Sequence, residues 1–300
     1  MFFLKNKIKV AVHDGSFHPD DVFAVAVLSI YLKNPLEIIR TRDPKILATC
    51  EYIFDVGREY DPSKKIFDHH QKEFNKKREN GITYASAGLA WYEFGEKITG
   101  SKEVFEKIDK KIIQFVDAED NGIAVSKNII EDVFPYTISS YIYSLNNNWK
   151  EEGRDSLEAF ETAVEFAKNI LEREIKIATD SVESKKRVTD IYNKTEDKKI
   201  IILEALYSWK STLEEYPEPL FVIKMNTENK NWYVSAVGVK GEQFKNRLDF
   251  PQLWAGLEGE ELVKVTGVAD AVFCHKGLFL AVAKSKEGAI TLAKKALEPR

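Results

Sequence analysis

Cysteine is almost absent: Cys50 and Cys274 are the two in 300 residues, and they form no Cys-x-x-Cys pair. That excludes a disulfide framework and a thiolate zinc site, and a cytosolic chain is expected. No apolar run reaches the ~20 residues that a membrane-spanning helix needs. The N-terminal stretch Met1–Lys9, broken by Lys5, Lys7 and Lys9, is read as too short for a signal peptide and as leading straight into a strand. Neither sign of charge dominates. The net charge of −4 gives no overall basic field toward polyanions, although local patches can still attract them. There is no internal repeat, no low-complexity tract, no Gly-x-Ser-x-Gly elbow and no Gly-x-x-x-x-Gly-Lys-Ser/Thr phosphate loop. What is present is an ordinary globular composition, long enough for two domains with a core each.

The first half alternates short apolar runs with helical periodicity. Ile8–His13, Leu36–Arg40, Tyr52–Asp55 and Lys65–Asp68 read as buried strands. Asp20–Leu32 reads as a helix that buries Val22, Phe23, Ala26, Val27 and Ile30, and Pro44–Thr49 as a short one. Ser86–Ile98 reads as a helix capped by Ser86. Alternation of this kind predicts an α/β fold, a parallel sheet covered on both faces. Lys102–Asn147 reads as mostly helical, with a break at Pro135. From Arg154 to Arg187, apolar residues recur every three or four positions, from Leu157 and Phe160 to Ala178 and Val182, which predicts one long connecting helix. A second, smaller α/β domain follows. Its expected strands are Ile200–Leu203, Leu220–Met225, Trp232–Val239, Ala271–Cys274 and Leu278–Ala283, and its last helix is Lys286–Leu297. The resulting domains are residues 1–150, a linker helix 151–192, and residues 193–300.

Four of the five histidines fall within the first 70 residues, each beside an aspartate or one position from it. His13 ends the first strand. His18 and Asp20 follow in the loop that enters the first helix. Asp55 ends the third strand, and Asp68-His69-His70 ends the next. In open α/β sheets ligands bind beyond the carboxyl ends of the strands, so these residues should converge on one crevice. His and carboxylate ligands without sulfur suit manganese or a similar hard-to-borderline divalent ion. Asp20 can equally serve as a helix cap, and Asp55 as a turn residue before Val56-Gly57. Within the triplet, adjacent side chains point to opposite faces of a strand, so the chain must turn there. The expected division places His69 on the metal, Asp68 behind an imidazole, and His70 toward substrate. Asp117 or Asp120, near a helix end closed by Asn121-Gly122, is the further ligand candidate; a solvated helix end is the plain alternative.

The ordered set HDGSFHPDD, RTRD, DVG, DHHQ, SAGL and VDAEDNG, continued by FKNRLDFPQLWAGLEGEEL and GVADAVFCH, resembles the DHH phosphoesterase superfamily. Within it the set closely resembles the Myg exonuclease family, over nearly the whole chain. The resemblance implies a two-domain phosphoesterase with a pair of manganese or magnesium ions. The implied site is His13, His18 and Asp20, then Asp55, then Asp68, His69 and His70, then Asp117 or Asp120. One departure stands out: His18-Pro19-Asp20 occupies the place of an Asp-x-Asp pair found in many superfamily members.

Several residues are candidates for substrate. Ser86-Ala87-Gly88 at a helix start can hold a phosphate on backbone N–H groups, or serve only in capping and packing. Arg42 can reach phosphate or pair with Asp43. Lys72, Lys76, Lys77 and Arg78 form a basic stretch that is either a solvated loop or a guide for a polyanion. Arg247, His275 and Lys276 (with Lys284) are candidate phosphate contacts in the second domain. Trp232, Phe244 and Trp254 are either stacking platforms or core. Three readings follow. The first is a metal-dependent 3′–5′ exonuclease on RNA or single-stranded DNA, with a single strand or short oligonucleotide as partner. The second is a phosphatase or phosphodiesterase on short oligonucleotides, cyclic dinucleotides or pyrophosphate. The third is a non-catalytic metal-binding protein. No membrane association is expected, and a homo-oligomer is left open.

Overall fold

The computed structural model describes residues 7–151 and 153–299. The chain parts into two compact units between Thr179 and Asp180. In the first, strands β1 (Ile8–Val12), β2 (Leu36–Arg40), β3 (Tyr52–Phe54), β4 (Tyr60–Asp61) and β5 (Ile66–Phe67) form a sheet in the order β2-β1-β3-β5-β4. The first four in that order run parallel, and β4 pairs antiparallel with β5 at the edge. The α/β fold expected from the alternation is therefore present, with β4 as an addition too short to show a period. Helix α1 (Pro19–Leu32) is buried at every residue from Pro19 to Leu28. It lies among β3, α3 (Ser86–Thr99), α5 (Gln114–Asp120) and α6 (Ile138–Ser144). This corrects the one-sided helix expected there: a helix apolar nearly all round belongs inside a domain.

The short α2 (Pro44–Leu47) is capped by Asp43, which accepts the Lys45 N–H. The cap of α3 is Ala85, so Ser86 is its first helical residue and not the cap that its side chain suggested. α4 (Lys102–Ile108) runs through a π-helical turn, Asp109–Ile113, into α5. The chain then stays irregular from 121 to 137, so the expected helical region breaks at Asn121-Gly122, seventeen positions wide, and not only around Pro135. Gly122 takes φ +67°, the left-handed conformation in which helices commonly end.

Helix α7, Ser156–Lys194, is 39 residues long and continues beyond Arg187. Its early turns bury Phe160, Val164 and Leu171 in the first unit, and its last turns bury Val188 and Tyr192 in the second. No helix among the described residues is long and apolar enough to cross a membrane. The second unit holds β6 (Ile200–Leu203), β7 (Phe221–Met225), β8 (Trp232–Ala236), β9 (Ala271–Cys274) and β10 (Leu280–Ala283) in the order β6-β7-β8-β10-β9. Only β6 and β7 are parallel. One face packs Phe221, Ile223, Phe250 and Trp254 with α9 (Gly259–Thr266) and α10 (Lys286–Ala296). The other packs Val188, Tyr192, Trp209 and, from the short α8 (Lys210–Leu213), Leu213.

Candidate metal centre

The sheet order explains the site. β3 lies between β1 and β5, so Asp55, just past β3, falls between His13, just past β1, and the triplet after β5. Asp55 turns out of the strand with φ +54°, a left-handed conformation that Asp tolerates better than most residues. Its two oxygens face different partners. Oδ2 lies 3.4 Å from His13 Nε2, and Oδ1 lies 3.5 Å from His69 Nε2. On the His13 side, Asp21 Oδ2 is 3.2 Å from the same Nε2. On the His69 side, Asp120 Oδ2 is at 3.2 Å and Asp20 Oδ2 at 3.7 Å. His18 joins His13 and Asp55, with its ring centroid 5.2 Å from that of His13.

Several of these groups are fixed from behind. His13 Nδ1 donates to the Asp14 carbonyl at 2.7 Å, which leaves Nε2 as the lone-pair donor facing the crevice. Asp20 accepts the N–H groups of Ser86 at 3.0 Å and Ala87 at 2.6 Å, a helix N-terminus aimed at a buried carboxylate. Asp21 Oδ1 accepts from the His18 N–H at 2.9 Å. Asp68 Oδ1 accepts from His70 Nδ1 at 2.8 Å, and its Oδ2 accepts from the Arg58 N–H at 2.6 Å. The imidazole that Asp68 orients is thus His70, whose side chain is 56% exposed and whose Nδ1 also lies 3.3 Å from Asp55 Oδ1. Asn146 grips the loop of His13 and His18 by exchanging two hydrogen bonds with the Phe17 backbone, each 2.9 Å.

Negative charge exceeds its compensation here. Burial opposes protonation of His69, yet Asp120, Asp55 and Asp20 outweigh it and push the imidazole up to about 11. Burial, followed by the charges of Asp120 and Asp55, raises the Asp20 carboxyl well above the usual range. His13 Nε2, Asp21 Oδ2, Asp55 Oδ1 and His69 Nε2 are buried without hydrogen-bond partners. Such atoms are costly unless something completes them. Buried, unsatisfied N and O donors in a field short of positive charge fit divalent cations, and the absence of sulfur suits manganese or magnesium. His13, His18, Asp20, Asp55, His69 and Asp120 all offer ligand atoms, and so does His70, grouped with Asp55 and His69.

Asp117 does not join them. Its carboxylate accepts from Arg78 at 2.5 Å and from the Gly88 N–H at 2.9 Å. Burial pushes it up to about 7 against the pull of Arg78. Arg78 also grips Asp109 through two nitrogens. The phosphate cradle expected at Ser86 and Gly88 is therefore corrected: both residues are buried, and their N–H groups already go to Asp20 and Asp117. Arg42 pairs with Asp14, not with Asp43, at 3.0 Å, and lines a groove with Arg58, Gly57, Asp55, Asp68 and His70. Lys76 is enclosed by Tyr92, Tyr60 and Tyr84, with Nζ 3.5 Å from the Tyr92 centroid, so this lysine and Arg78 are engaged inside the fold.

In the second unit, the expected phosphate contact at Arg247 is corrected. Its guanidinium donates to the carbonyls of Tyr216, Pro219 and Glu214. His275 Nδ1 accepts the Gly277 N–H, and Lys276 is exposed. Trp254 is core, and Phe244 is fully exposed. Sequence reasoning missed Asp21, Arg58 and Tyr143. Asp21 carried a signal, its place beside Asp20 at the start of an apolar helix. Tyr143 carried none: its ring lies 6.1 Å from that of His18 across 125 positions of chain.

Fold and site together define an α/β protein with a buried His/Asp centre of metal-binding character at the strand ends. The MYG1 exonuclease family model, described as "Uncharacterised protein family (UPF0160)", matches residues 9–297, and the chain belongs to this family. It is 33% identical to the MYG1 protein of Chlamydia trachomatis, over 93% of this chain and 92% of the relative. It is 29% identical to a MYG1 protein of Schizosaccharomyces pombe, over 98% and 99%. It is 27% identical to the human protein named MYG1 exonuclease, over 97% and 86%.

Proposed function

We propose that the protein is a divalent-metal-dependent phosphodiester hydrolase, a 3′–5′ exonuclease on RNA or single-stranded DNA. The observation that carries this reading is Asp55, whose two oxygens face His13 on one side and His69 on the other. One carboxylate so placed suits a pair of ions, and the human relative's name gives the class of reaction. His13, His18 and Asp21 with Asp55 would hold one ion, and His69, Asp20 and Asp120 with Asp55 the other. Bound there, two divalent ions supply hydroxide at neutral pH and neutralise charge on the phosphate.

The chain's own residues do the rest. Asp68 holds His70 by Nδ1, which leaves Nε2 free to give a proton to the departing oxygen. Arg42 and Arg58, beside His70 in the groove, position the phosphate and draw off its charge. The C-terminal unit is proposed to bind nucleic acid through exposed Lys276 and half-buried His275. A second reading, hydrolysis of short oligonucleotides, is favoured by the engagement of Lys76 and Arg78 within the fold, which halves the basic stretch available to a long polyanion.

The test is a labelled single strand and a dinucleotide assayed side by side with manganese, with chelator, and with His70→Ala. Activity should vanish in chelator and return with manganese. His70→Ala should lose at least about a hundredfold in turnover while keeping its metal. Full activity in chelator overturns the mechanism. A variant that loses half its metal makes His70 a ligand instead.

A further inference from the structure

We propose that Tyr143 is the platform on which the base of the nucleotide undergoing cleavage stacks. This rests on the nuclease reading above and names the group that would recognise an unpaired base.

The placement is specific. Tyr143 lies in α6, whose Ser139 and Ile142 are buried against the first unit, and its own side turns outward. The residue is 47% exposed, and its ring lies 6.1 Å from that of His18 at an interplanar angle of 55°. The phenol thus borders the imidazole of a proposed metal ligand and stays half-exposed to solvent. The position is held firmly. Asn146, one turn further on, exchanges hydrogen bonds with both the N–H and the carbonyl of Phe17. Phe17 is buried edge-on against Phe160, at 5.5 Å between centroids. Thr137 and Ser140 close a reciprocal cap at the start of the helix. A half-exposed aromatic ring on a pinned helix beside a phosphate-processing centre has the character of a stacking surface. Stacking accepts every base, since each has a π-face, and it requires that the base be unpaired. A duplex end offers its base already stacked and paired, so the same ring would favour single strands.

The experiment compares wild type, Tyr143→Phe and Tyr143→Leu on a single strand with a normal 3′-terminal nucleotide and on one with an abasic 3′ terminus. Metal content is measured for all three. Tyr143→Phe should stay within about twofold of wild type, because the ring is kept. Tyr143→Leu should raise KM about 5- to 100-fold with metal content unchanged. On the abasic strand, wild type and Tyr143→Leu should converge to within about twofold. The inference is overturned by a Tyr143→Phe defect as large as that of Tyr143→Leu, by an equal loss on the abasic strand, or by no loss at all. If wild type cleaves neither strand, the nuclease reading itself fails, and that result is distinct from the other three.

Discussion

The two units bury different things. Among the described residues, every buried carboxylate and imidazole lies in the first unit: His13, Asp20, Asp21, Asp55, Asp68 and Asp117. The buried polar residues of the second are hydroxyls, Ser184, Thr212 and Thr266, and Thr266 closes a hydrogen bond to the Leu262 carbonyl of its own helix. Burying a charge is costly unless it is paired. The first unit carries that cost mostly at its strand ends, with Asp117 paired to Arg78 apart from them, whereas the interior of the second is given to packing. The difference supports placing the proposed chemistry in the first unit, whose core departs from the apolar rule at a cluster of oriented groups.

The sharpest way to break this comparison is Asp55→Asn, which keeps the left-handed backbone and removes one charge. Turnover with manganese should fall at least about a hundredfold, since even losing a group behind a ligand costs that order. The metal-free protein should at the same time melt about 2–4 °C higher, because like charges crowd the empty crevice less. A lower melting temperature would mean that the carboxylate stabilises the fold and that the first unit is built like the second. Phe250→Ala probes the other side. It removes a fully buried ring packed between Phe221 and Trp254, and should cost about 3–5 kcal/mol in denaturant unfolding while metal content per chain stays unchanged.

Gly88→Ala tests the wall between the metal crevice and the Arg78 clamp. A Cβ there would lie 1.9 Å from Asp117 Oδ2, so the carboxylate must shift and the variant should lose about 1–3 kcal/mol. Because Asp117 and Asp120 share a helix, its metal affinity should fall as well; unaltered metal affinity would separate the clamp from the site. The smallest effect is expected of Arg247→Ala. Three carbonyls lose a donor, so stability should drop by about 1–2 kcal/mol with KM unmoved. A rise in KM that salt weakens would return Arg247 to the phosphate contacts.

Much of the fold was legible because its signals are local. Each expected strand of the first unit overlaps an observed one, since short apolar runs between turn residues leave few alternatives. The edge strand β4, two residues long, is too short to show a period, and the eight-residue helix α9 was not expected either. The metal candidates were legible for a related reason. Strands of a parallel sheet end on the same side, so His13, Asp55 and His69 could be placed near one another from their positions in the chain alone.

The remaining assignments were beyond the sequence, because they depend on which side chain arrives first at a given group. Asp117 and Asp120 are one turn apart with the same chemistry. Arg78, 39 positions before Asp117, takes that carboxylate and leaves Asp120 to face His69. Ser86 and Gly88 look open for an anion until Asp20 and Asp117 are seen to occupy their N–H groups. Arg247 looks like a free cation until three carbonyls enclose it. Residue types and their periods determine the elements and the side of the sheet on which the charged groups collect. Pairing across long stretches of chain is decided only when packing brings the partners within hydrogen-bond distance, because a short-range interaction has no signature in the order of residues.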